Sequence, residues 1–280
     1  MNGLGWLTGL IFILCAVQVH AAACTTSGDK IIAPTSTCDA EPNYFAITLY
    51  ELGLCTAAPT APTTGAAFDS GSVCVAVYEN SAGVRLLAST DVNDDPLDAR
   101  FISAPPLGAY THGYAKLRNV FQIQFESEFT TSLTGEAAGE GAFCRTANAT
   151  LYNDQKDASG NAASFARMVC DGDFVWPGTM NWNLVDLGGS QSLTGLTGID
   201  GDTLDIYLTD GDQQLSPDRS SVSQILGIQT FSSTQRMGSG TNSFRLKLNA
   251  SEAVYLENTG GTIAIGANPF TLSVELVNSN

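Results

Sequence analysis

The residues best able to do chemistry in this 280-residue chain are two histidines, seven cysteines and 28 acidic side chains. Histidine is the sharpest filter. His20 falls at the end of an apolar leader, which leaves His112 as the one imidazole of the body of the chain. A Ser-His-Asp triad needs that imidazole held between an acid and an activated serine, and no Gly-x-Ser-x-Gly elbow supplies the nucleophile. A zinc site built on two or three histidines is out of reach, and the cysteines lack zinc spacing. A glycosidase would need two carboxylates facing each other across a cleft, and no pair stands out in the sequence. No catalytic residue is assigned, and the chain is expected not to be an enzyme.

Binding chemistry has more to draw on. The run Asp91, Asn93, Asp95, Asp98 places oxygen ligands at near-alternate positions and resembles the start of a calcium loop. It departs from the EF-hand pattern, with Pro96 where the glycine belongs and Ile102 where the bidentate glutamate belongs. Calcium is therefore the one cofactor the sequence offers, and otherwise none is expected. The pairs Asp171-Gly172, Asp200-Gly201 and Asp210-Gly211 provide further carboxylates, although Asp-Gly is also what a hairpin turn requires. The turn reading is favoured, because these pairs sit where hairpins are needed. Phe174, Trp176 and Trp182 form a candidate sugar-stacking platform, competing with the usual role of large aromatics as core anchors. Asn148 and Asn249 each begin an Asn-x-Ser/Thr sequon, the acceptor for N-glycosylation.

The cysteines describe the compartment. Residues 4–19 form an almost unbroken apolar run, and Ala21-Ala22-Ala23 supplies the small residues at which a signal peptidase cuts. Residues 1–23 are thus expected to be a secretory signal peptide, too short to serve as a membrane span. Cys15 would leave with it. Cys24, Cys38, Cys55, Cys74, Cys144 and Cys170 remain, an even set that reads as a disulfide framework in a secreted, extracellular or cell-surface protein, or a periplasmic one. Lipidation of Cys24 would leave an odd cysteine. Sequential pairing would staple the N-terminus, the Pro/Thr tract of residues 56–64 and the turn-rich residues 146–168. Six cysteines nonetheless permit 15 pairings. That Pro/Thr tract is not expected to pack a core of its own.

Charge limits the partners. The formal net charge is −16, with 12 basic residues scattered along the chain. Nucleic acid and anionic membrane surfaces are repelled by such a chain, so neither is expected as a partner. Self-association and glycans are the partners that remain.

The elements that must position these residues are strands. Apolar and polar residues alternate in short runs over 44–50, 73–78, 120–125, 203–208, 243–248, 262–265 and 270–277, each bounded by turn-forming residues. The fold class that follows is all-β, an antiparallel sandwich or jelly roll, disulfide-stapled and built of two β units. Those units are taken as 24–134, a disulfide-linked sandwich domain, and 135–280, a second β-rich region that could be continuous with the first. The Gly-rich stretch 134–141 is a loop or boundary between them. Gly108-Ala109-Tyr110 at a strand entrance is similar to the tyrosine corner of immunoglobulin-like sandwiches, in which the hydroxyl bonds back to the preceding backbone. The alternative is an ordinary strand aromatic.

These features point first to a secreted structural protein, a subunit of an extracellular filament, coat or surface layer that assembles by adding strands to sheet edges. The second reading is an adhesin or carbohydrate-binding module, with calcium as a candidate helper.

Overall fold

The computed structural model describes residues 10–14, 21–89, 97–100, 105–147, 149–153, 168–185, 187, 189–197, 201–238, 241–267 and 270–278. Among them there is no α-helix, and the strands form sheets of nine, eight and four. The nine-stranded sheet runs β12 (Ala149–Asn153), β14 (Met180–Asn183), β9 (Val120–Gln124), β5 (Tyr44–Cys55), β8 (Gly108–Arg118), β17 (Gln224–Met237), β16 (Thr203–Thr209), β15 (Ser192–Thr197). There β6 (Cys74–Ser89) also pairs with β5.

The eight-stranded sheet runs β13 (Met168–Asp171), β11 (Glu140–Thr146), β10 (Glu126–Gly135), β20 (Thr262–Ala267), β19 (Val254–Thr259), β4 (Thr37–Ala40). It is extended by β3 (Lys30–Ile31), which pairs with β10, and by β2 (Thr26–Ser27), which pairs with β3. The four-stranded sheet is β1 (Leu10–Leu14), β21 (Phe270–Asn278), β18 (Thr241–Asn249), β7 (Leu97–Arg100). Pairing is antiparallel except where β10 meets β3 and β20 and where β12 meets β14. The all-β sandwich expected from the alternating runs is the observed fold. No described helix is long and apolar enough to cross a membrane.

Alternation explains the inner faces. In β9, Phe121 and Ile123 are buried while Val120, Gln122 and Gln124 are only partly so, the pattern of a strand with one face on the core. Phe45 of β5, Phe121 of β9 and Phe270 of β21 meet with ring centroids 5.3–5.8 Å apart, and so join the four-stranded sheet to the nine-stranded one. Burying each such ring contributes on the order of 1.5–3 kcal/mol. Strands from both sides of residue 134 interleave in the two larger sheets. Their inward residues share one contiguous core, from Ile31 and Phe129 to Ile123 and Ile263, which Phe270 of the four-stranded sheet joins.

The Gly-rich stretch is the link between β10 and β11. A Cβ on Gly135 would stand 2.5 Å from the carbonyl oxygens of Ala138 and Met168, so only glycine lets the chains approach there.

The far end of β5 departs from alternation. Leu52 through Cys55 of β5 are buried in succession, which means both faces are covered at that end. The cover is the loop between Cys55 and Cys74. Its Phe68 packs on Tyr114, with ring centroids 5.0 Å apart, in a second small core with Tyr207, Leu226 and Ile228. Ala61 of the Pro/Thr tract packs against the same cluster, and Pro62 is buried. The tract thus builds no core of its own but helps to cover one supplied by the sheet and Phe68. An apolar outer patch on β8, β16 and β17 would otherwise face water, and the loop closes over it. The Tyr114 ring lies across Gly53, where a Cβ would come within 2.1 Å of it.

Candidate ligand-binding site

The cystines are Cys24–Cys38, Cys55–Cys74 and Cys144–Cys170, the sequential pairing. Cys55 and Cys74 sit opposite each other where β5 and β6 begin to pair, and Cys144 and Cys170 do the same on β11 and β13. Strand register thus brings these two pairs into reach. Three cystines mark an oxidising compartment.

Tyr110 forms the corner. Its hydroxyl donates to the Pro106 carbonyl at 2.7 Å while the ring is buried, and that burial raises the phenol above its ordinary pKa. His112 lies beside it on β8, opposite Cys55 and Thr230. Its Nδ1 is 2.9 Å from the Thr111 hydroxyl, which also donates to the Thr56 carbonyl. Burial lowers its pKa, and the nearby Asp205 carboxylate opposes that shift. Among the described residues, the one hydroxyl hydrogen-bonded to this imidazole is that of Thr111, which is tied into loop anchoring.

Of the Asp-Gly pairs, Asp210-Gly211 forms a turn. The Asp210 carboxylate accepts from the backbone N–H groups of Asp212 and Gln214, both at 3.0 Å. In that turn the left-handed residue is Gln213, at φ 61°, and not Gly211. Asp202 accepts from the Gln229 amide and from the Ser232 backbone N–H, and Asp171 pairs with Arg145 at 3.0 Å. The candidate calcium ligands Asp91, Asn93 and Asp95 lie outside the described residues. Asp98 stands on β7 opposite Arg245 of β18. Asn148 likewise lies outside the described residues, and Asn249 closes β18 opposite Thr271.

The aromatic platform divides in two. Phe174 and Trp176 stand edge to face 5.4 Å apart in the segment after β13, and Trp176 is 79% exposed. Trp182, on β14 opposite Phe121, packs instead against the main core. Val175 adds a third exposed apolar side chain beside the first two.

A different cluster, with no signal in local spacing, lies on the outer face of the nine-stranded sheet. Arg85 of β6 pairs with Thr48 of β5. On the other side of β5, Arg118 follows Leu117, which pairs with Leu49, so the three form a row across the strands. Two residues further along, Ala46 pairs with Gln122 and Gln122 with Asn181. That second row stands about 7 Å from the first at ordinary strand rise. The residues of both rows line a cavity of about 460 Å³. The Gln122 amide donates to the Asn181 side-chain oxygen at 3.2 Å. The Arg85 guanidinium lies 5.0 Å from the centroid of the Tyr44 ring. Neither arginine makes an ion pair with a described residue.

No family model, curated protein or solved structure matches this chain. Its function must be argued from its own edges and surfaces.

Proposed function

We propose that this chain is a secreted structural protein, a subunit of an extracellular filament, coat or surface layer joined through sheet edges. The observation that carries the reading is the edge of the four-stranded sheet. There β1, drawn from the apolar leader run, pairs antiparallel with β21 from Leu10 opposite Val274 to Leu14 opposite Phe270. Cleavage after Ala23 would take β1 away and leave the outer edge of β21 with unpaired backbone groups over the core that Phe270 enters. A strand from another subunit satisfies that edge through main-chain hydrogen bonds. At the opposite edge of the same sheet stands β7. A contact that joins unlike edges, β21 of one subunit to β7 of the next, is heterologous and builds an open row rather than a closed pair.

Negative-stain microscopy and light scattering on oxidised chains 1–280 and 24–280 at rising concentration test the reading. The shorter chain is expected to form regular filaments or sheets while the longer one stays dispersed. Uniform single particles of chain 24–280 at every concentration would overturn the proposal.

A second reading, an adhesin or carbohydrate-binding module, draws support from the exposed Phe174 and Trp176 pair. Exposed aromatic edges of this kind are unusual unless something covers them. Loss of polysaccharide-induced fluorescence change in Trp176→Ala would support this reading, and no change with any polysaccharide would remove it.

A further inference from the structure

We propose that the groove crossing β6, β5, β8, β9 and β14 binds an acidic oligosaccharide, one whose sugar units carry a carboxylate or a sulfate. The inference does not depend on assembly and uses neither Phe174 nor Trp176.

Charge is the first argument. In a chain of net charge −16 carboxylates are the abundant partners for cations: exposed Lys30 and the partly buried Lys116 and Arg145 pair with Glu128, Glu51 and Asp171. Arg85 and Arg118 are exposed, share one groove and make no ion pair among the described residues. Two guanidiniums flanking Thr48 present planar donor forks, which match the paired oxygens of a carboxylate or sulfate.

The rest of the groove has the chemistry of a sugar site rather than of a bare anion hole. Val120, partly exposed, supplies a small apolar contact for the C–H face of a pyranose, with Ala46 buried behind it. Thr48, Gln122 and Asn181 line the same space with a hydroxyl and two amides. The Gln122 to Asn181 bond fixes the amides relative to each other and leaves the Gln122 carbonyl oxygen to accept from a sugar hydroxyl. The Tyr44 ring beneath Arg85 holds that guanidinium over the sheet, and the Tyr44 hydroxyl is buried with no hydrogen-bond partner among the described residues. A volume of about 460 Å³ is in the range of small-ligand sites and takes a short saccharide rather than a single ion. Nucleic acid would need a continuous basic track with stacking aromatics, and the groove has neither.

The test is isothermal titration calorimetry of the oxidised full chain with four probes: a galacturonic acid tetramer, a sulfated galactose tetramer, a neutral galactose tetramer and sodium sulfate. At least one acidic tetramer should bind, at least about tenfold more tightly than the neutral one, with affinity falling as salt rises. Arg85→Gln and Arg118→Gln should each weaken it about tenfold, the value of one charge-assisted contact, and the double variant should abolish it at unchanged melting temperature. Gln122→Ala should weaken tetramer binding and leave any sulfate binding alone. Failure of both acidic tetramers, or binding unchanged in the double arginine variant, would overturn the proposal. Sulfate binding as tightly as either tetramer would also overturn it, by reducing the site to a simple anion contact. Binding lost in Trp176→Ala but kept in the arginine variants would move the ligand to the exposed aromatic loop and would equally count against the groove.

Discussion

The loop between Cys55 and Cys74 and the segment that follows Cys170 both leave a cystine at a strand end, yet they treat their aromatics in opposite ways. Phe68 in the first is 8% exposed and packs on Tyr114, whereas Trp176 in the second is 79% exposed and touches Phe174. The difference lies in what is underneath. The first loop covers an outer sheet face made apolar by Tyr114, Tyr207, Leu226 and Ile228, so burying Phe68 removes water from both sides of the contact. The first loop's aromatic is therefore a stability device, and the second segment's pair is a surface offered outward.

Four changes break or sharpen that contrast. Replacing Cys55 and Cys74 together with alanine should have the largest effect, a loss of about 3 kcal/mol for a loop of this length, read from the chemical denaturation midpoint. Phe68→Ala should cost somewhat less, about 2–3 kcal/mol, because the satellite core is small and can partly collapse. A cost below about 0.5 kcal/mol would mean that the loop does not depend on its ring.

The third change is one of pH. His112 lies opposite Cys55 beneath the loop, and burial holds its pKa below the ordinary value of about 6.5. A base whose folded pKa is depressed contributes stability that is complete above the unfolded value and is lost as pH falls through the folded one. Denaturation midpoints between pH 7 and 5 should therefore fall more steeply for the native chain than for His112→Gln. Equal slopes would show that the imidazole is not coupled to the fold. Smallest of all, Trp176→Ala should change stability by less than about 0.5 kcal/mol, since the side chain is mostly in water. A loss as large as that of Phe68→Ala would erase the distinction between the two regions.

Much of the fold was legible because its signals are local. The alternating runs at 44–50, 120–125, 203–208 and 270–277 fall within β5, β9, β16 and β21, or overrun them by a single residue. The Tyr110 corner needs only four residues of backbone, back to Pro106, and the sequential cystines join strand ends that are near in sequence. The outer core under the Cys55–Cys74 loop was hidden, because alternation reports one covered face, and Leu52 to Cys55 are covered on both. The arginine groove was hidden for a different reason. Arg85, Arg118 and Asn181 become neighbours only through the pairing of β6, β8 and β14 around β5 and β9, and no spacing within one segment records that pairing. Likewise, nothing in the leader's composition says that residues 10–14 fit against 270–274.

Assembly through β21 is the central claim, and amide hydrogen exchange on chain 24–280 tests it most directly. In residues 270–274, the amides facing away from β18 have no partner in a lone subunit that lacks β1. In concentrated, assembled samples these amides should become as protected as those facing β18, and dilution should release them. Fast exchange of those amides at every concentration would contradict the account, whether or not particles form by some other contact.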